Sequence, residues 1–261
     1  MKSHLTAAIW AEFLKARRSR VPLYTALGFS LAPLMGGFFM VILKDPDAAR
    51  RVGILRAKAD LLAGQADWPS YFQLLGQATA VGGVLLFSLI ASWIFGREYS
   101  DRTAKDLMAL PTPRSTIVWA KFIVMAAWAL GLAVFIIVLG ILVGWVVGMP
   151  GWTSALAAEG VYRVIVAALL TVLLMPPIAY AASAGGGYMA PMGVAIVLLV
   201  MAQVLGAAGW GPIFPWSIPA TYAGMGNAGE LGIGSYAIVL GVGGLGAWGT
   251  VEWWRRADQG G

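Results

Sequence analysis

Six long stretches without a single Asp, Glu, Lys, Arg or His constrain this chain more than anything else in it. They run Val21–Leu43, Ser70–Phe95, Phe122–Met149, Val164–Ser183, Tyr188–Gly209 and Leu231–Val251. About 20 apolar residues cross a bilayer core as a helix. Backbone groups in hydrocarbon must be satisfied within their own segment, which selects helices over open strands. The sequence therefore predicts an all-α polytopic membrane protein, a single transmembrane domain over 1–261. Its spans are expected near 21–43, 70–95, 117–149, 161–183, 188–209 and 231–253. Spans four and five are divided by Ala184-Gly185-Gly186-Gly187; a glycine triplet is a poor helix interior, so it reads as a tight turn. The first run is too long for a cleaved signal peptide and follows a polar segment of about 20 residues, so it reads as a retained helix.

Composition removes other classes. Only 11% of the 261 residues are charged and 59% are apolar, against about 25% charged in soluble domains. The mean hydropathy is +0.78. A soluble enzyme and a disordered chain are both excluded. Cysteine is absent and His4 is the single histidine, which leaves a transition metal almost no ligands. His4 lies outside the spans and reads as solvated.

The positive-inside rule orients the chain. With both termini cytoplasmic, twelve cations and six acids fall inside, a net +6; six of each fall outside. The whole excess charge is thus a topology signal, not a nucleic-acid footprint. No acid or base is expected deep in a span, which withdraws support from proton relays. Arg163 and Glu159 lie near an outer edge and read as snorkelling groups.

Residues 2–19 read as an amphipathic interfacial helix. Leu5, Ile9, Trp10, Phe13 and Leu14 recur at helical spacing, and Lys15, Arg17 and Arg18 suit anionic headgroups. On the outside, 44–69 form the longest loop. There Asp45 and Pro46 can start a helix over Ala48–Leu62; the loop reads as a connector, with a lid as the alternative. Trp210, Pro212, Pro215, Trp216, Pro219 and Tyr222 suggest an aromatic belt on a proline-rigid loop, or a re-entrant segment.

Three small-residue features are candidates for packing or motion. Gly140, Gly144 and Gly148 make two successive G-x-x-x-G steps, a packing face. Pro176 and Pro177 within span four form a possible hinge. Gly241-Val242-Gly243-Gly244-Leu245-Gly246 matches G-x-G-x-x-G, but it lies inside span six with no preceding strand. Close helix packing explains it better than a dinucleotide.

The most informative stretch joins spans two and three on the inner side, from Gly96 to Arg114. Thr103 with Asp106 is a weak capping box, and it would begin a short helix that Pro111 ends. Thr112-Pro113 would then cap the next helix, with Pro113 at N1. The mixed charges of Asp101, Arg102, Lys105 and Asp106 beside Leu107, Met108 and Leu110 suit a docking peg for a cytoplasmic partner.

This run, from Glu98 through Thr103 to Leu110, Pro111 and Arg114, then Lys121 entering a span, resembles the type-2 ABC transporter permeases. The motif-level likeness covers about 25 residues, and the topology-level likeness nearly the whole chain. The resemblance implies a coupling helix that sits in a groove of the ATPase, with Glu98, Asp101, Arg102, Thr103, Asp106, Leu107 and Leu110 as contact residues. It implies the permease subunit of an ATP-driven exporter in the cytoplasmic membrane of a prokaryote, not itself an enzyme. No G-x-x-x-x-G-K-[ST] occurs, so ATP and Mg are expected on a separate ATPase, in two copies, beside a second permease copy or paralogue. The competing readings are an ion-coupled secondary transporter, which would want intramembrane charges or inverted repeats, and a membrane-embedded enzyme, for which no catalytic base is in view. The transported substrate is not readable from these residues.

Overall fold

A computed structural model describes residues 2–44, 65–103, 107, 111–226 and 231–256. The expected exterior helix over 48–62 lies outside them. Among the described residues no strand forms, and six helical segments are long and apolar enough to cross a membrane. The elements are α1 (Lys2–Arg18), α2 (Val21–Lys44), α3 (Trp68–Ser100), α4 (Arg114–Val147), α5 (Ser154–Leu173), α6 (Pro176–Ala184), α7 (Met189–Leu205), α8 (Ile218–Tyr222) and α9 (Ile233–Arg256). The α5–α6 pair makes one crossing.

Helix α3 is the spine, packing against α2, α4, α5, α6 and α7. It starts where Asp67 accepts the Ser70 N–H at 3.0 Å, with Pro69 in its first turn. Phe87, Ile90, Ala91 and Phe95 give it a buried face. Two glycines of α4 let that helix approach closely. A Cβ on Gly140 would lie 2.6 Å from Leu75, and one on Gly144 would collide with the Trp68 ring. This face is thus turned onto α3 within one chain. Gly148 has a different part: it ends α4 in the left-handed region at φ +66°. There Lys44 donates to the Val147 and Gly148 carbonyls at 2.8 and 2.6 Å, a cation placed where the helix dipole is negative. Trp68, buried beside Trp152 at 4.6 Å between ring centroids, closes this end of the bundle.

The fourth crossing is broken, as its prolines require. Pro177 has no N–H to return to the Leu173 carbonyl, and α5 stops there while α6 restarts at Pro176. Helix α9 fills the break. A Cβ on Gly243 would strike the Leu173 carbonyl oxygen, and one on Gly246 would lie 2.5 Å from Pro177. Gly241 and Gly244 meet nothing within 4 Å. The glycine run is therefore a groove cut for a kinked neighbour, and only two of its members line it.

Gly185–Gly187 turn the chain between α6 and α7, with Gly186 at φ +62°. Beyond α7, the segment to residue 226 folds back onto the bundle. Ser217, Ile218 and Ala223 are buried, and Gln77 of α3 donates to the Gly224 carbonyl at 3.1 Å. The outward faces of α2, α7 and α9 carry Leu31, Val197, Val200 and Leu240, an apolar perimeter suited to lipid.

Candidate functional site

At the end of the bundle where α1 lies, four helices, α1, α3, α4 and α9, meet around one ammonium group. Lys121 sits seven residues into α4 and is fully buried. Its Nζ donates to Glu98 Oε1 at 2.8 Å, to the Ile94 carbonyl at 2.8 Å and to Glu12 Oε2 at 3.1 Å. It also lies 6.0 Å from the centre of the Phe95 ring and 5.9 Å from that of Trp254 on α9. Lys15 closes the circuit, reaching Glu12 at 2.7 Å and Glu98 at 3.0 Å. Two cations and two carboxylates thus balance. Glu12 is 6% exposed and Glu98 4%. Such burial is tolerated only when the charges are paired and hydrogen-bonded. The ring is incomplete at one atom: Glu98 Oε2 has no hydrogen-bond partner among the described residues.

Lys121 is buried near the start of α4 rather than deep in a crossing. The cluster corrects one expectation. Helix α1 turns two of its charges, Glu12 and Lys15, inward: Glu12 shares a face with Ile9 and Ala16, at i, i+3 and i+7, while Trp10 and Phe13 are 62% and 49% exposed. Burial opposes the Lys15 ammonium, but Glu12 and Glu98 outweigh it and hold its pKa above the ordinary 10.5.

Directly behind the cluster, α3 ends in a Schellman turn. The Thr103 N–H reaches the Glu98 carbonyl at 2.8 Å and the Arg102 N–H reaches Tyr99 at 3.2 Å. Arg102 takes the left-handed position at φ +57° without being glycine, a strained place for a side chain. Asp101, Arg102 and Thr103 are exposed, and Arg97 pairs with Asp101 at 3.0 Å. The Leu107 N–H bonds the Thr103 carbonyl at 3.1 Å, one helical turn after Thr103, and Leu107 packs half-buried against the core. Asp106 and Leu110 lie outside the described residues. At the next helix the start differs from expectation: Pro113 is the N-cap, its ψ of 130° outside the helical range, and Thr112 supplies no capping bond. The Pro113 carbonyl instead accepts from Thr116 at 2.9 Å.

Of the residues singled out from the sequence, Asp101, Arg102 and Thr103 therefore form an exposed turn, and Leu107 is anchored beneath it. Glu98 is turned inward, bonded to lysines rather than open to a partner. Pro176 and Pro177 stand at the α5–α6 break, with the Thr250 hydroxyl of α9 donating to the Pro176 carbonyl at 3.4 Å. The lock extends to the chain's far end. Arg114 donates to the Trp254 carbonyl at 3.3 Å, and Trp254 Nε1 donates to Ser183 at 3.0 Å. Sequence reasoning missed the partnership of Glu12, Lys15 and Lys121. The signal was present in Glu12, an acid in helical register with Leu5, Ile9 and Ala16.

The fold and the site define the class: a multi-pass helical membrane protein in which a surface helix is ion-locked to the hairpin joining two crossings. Residues 8–202 match the family described as ABC-2 family transporter protein, and the chain belongs to that family. Among curated proteins, the bacitracin transport permease protein BCRB of Bacillus licheniformis is 27% identical over 135 residues, covering 52% of this chain. The chain spans 65% of that relative's length.

Proposed function

We propose that the chain is the membrane half of an ATP-driven exporter, and that a separate ATPase docks on the turn running from Asp101 to Pro113. Both termini and this turn face the cytoplasm, as the +6 excess of cations on that side favours. The observation that carries the reading is the lysine–glutamate ring. It ties α1, the end of α3 and the start of α4 into one body immediately behind the exposed turn. A force applied at Asp101 or Arg102 is passed to three elements at once rather than dissipated in a loop. ATP and Mg belong to the partner chain, and two permeases with two ATPases complete the assembly. The break at Pro176–Pro177, seated on α9 rather than inside a continuous helix, is the point where the fourth crossing bends as the pathway opens. The similarity to the bacitracin transport permease makes bacitracin the first substrate to try.

The test is copurification of the permease with its ATPase, followed by measurement of substrate-stimulated hydrolysis. Simultaneous charge reversal at Asp101, Arg102 and Asp106 is expected to abolish stimulation while leaving the permease folded. Unchanged binding and stimulation in that variant would refute the docking assignment.

A further inference from the structure

The groove between α1 and α4 has the chemistry of a lipid site. Its volume is about 600 Å³, within the range of small-molecule pockets. On α1, Thr6, Trp10, Phe13 and Arg17 follow one another at i, i+4, i+7 and i+11, so they form one wall. The facing wall on α4 is Ile123, Ala127 and Gly131 at i, i+4 and i+8. Two of those three are small. Further along α4, the outward positions carry the branched residues Val134, Val138 and Leu142 instead. A Cβ on Gly131 would meet nothing within 4 Å, so the trough is open where a side chain would fill it. From Ile123 to Leu132 it follows α4 for about 14 Å, a length suited to a hydrocarbon tail.

Its charge is one-sided. Arg17 stands in the lining, and Arg18 and Arg20 follow it in the chain; all three are exposed. None of the three side chains makes a hydrogen bond or ion pair to the described residues, whereas Lys15 is held inward by Glu12 and Glu98. No acid lines the groove. An apolar trough that opens beside unpaired guanidinium groups fits a molecule with a fatty chain and a negative headgroup.

We propose that this groove holds an anionic phospholipid of the surrounding leaflet, its acyl chain between Trp10, Phe13 and Gly131 and its phosphate at Arg17. The lipid would complete the attachment of α1, whose inner face is fixed by ions and whose outer face is otherwise bare aromatic surface. The inference does not depend on the direction of transport or on the ATPase.

Native mass spectrometry of the full-length permease decides it. The protein is stripped in detergent, then titrated with phosphatidylglycerol or with phosphatidylcholine of matched acyl chains. The wild type is expected to retain one phosphatidylglycerol per chain and to release phosphatidylcholine. Arg17→Glu should weaken retention on the order of tenfold or more, and Gly131→Phe should block it by filling the trough. Val138→Phe, on the outward face of α4 beyond the groove, should retain lipid as the wild type does. Should Gly131→Phe fail to fold, the exposed Arg17→Glu decides alone. Equal retention of the two lipids, retention unchanged in Arg17→Glu, loss in Val138→Phe equal to that in Gly131→Phe, or a lipid-free dimer covering the groove would each overturn the proposal.

Discussion

Replacing Lys121 by Met keeps the side chain's length and apolar stem and removes one charge from the ring. In the wild type, Glu12 and Glu98 face Lys15 and Lys121, and the charges cancel. In Lys121→Met two buried carboxylates share Lys15, whose side chain is 31% exposed, and the Ile94 carbonyl loses its donor. Breaking a buried pair from one side costs about 3–5 kcal/mol, because a charge is left uncompensated. For a chain of this size that corresponds to a fall in Tm on the order of 10 °C. Adding Glu98→Gln restores neutrality, since Glu12 and Lys15 then pair alone. The double variant should therefore unfold at a higher temperature than Lys121→Met, with a coupling energy of about 1–3 kcal/mol. Scanning fluorimetry of the four proteins in one detergent measures the cycle. If the two losses simply add, the ring is not an interacting unit and the reasoning fails.

Three further outcomes follow from the geometry. Gly243→Val drives a side chain into the Leu173 carbonyl, which as backbone cannot yield, and should cost at least about 1–3 kcal/mol; Gly244→Ala, with nothing within 4 Å, should leave thermal stability unchanged or raised. Arg102→Gly relieves a left-handed residue but frees the unfolded chain, so Tm should move by less than about 1 kcal/mol equivalent while stimulation of the partner ATPase falls. The raised pKa of Lys15 makes its contribution complete below the unfolded value of 10.5 and lost only as pH climbs through the higher native value; limited proteolysis of α1 should show no transition between about pH 6 and 9.

The crossings were legible because their signal is local: twenty uncharged residues in a row demand a helix in lipid wherever the neighbours lie. The glycine turn at Gly185–Gly187 and the break at Pro176–Pro177 were legible for the same reason, since each acts through its own backbone. The ring was not, because its members come from residues 12, 15, 98 and 121, and only folding brings them within 3.1 Å. Counting charges for topology even concealed it. Glu12, Lys15, Glu98 and Lys121 entered that count as four surface charges, and the structure buries three of them and half-buries Lys15. Pro113 illustrates a smaller failure. A proline after threonine suits N1 as well as N-cap, and only ψ distinguishes them.

The inward charges of α1 also impose an order on assembly. Glu12 is synthesised before its partner: the ammonium that fully buries with it lies 109 residues further along. Until α4 has been inserted, Glu12 and Lys15 have only each other, and desolvating them against the bundle is unfavourable. Helix α1 thus cannot seat before α4 is in place. A nascent chain would carry it as a loose flag at the membrane surface, and its seating would report that the two crossings behind it had already paired.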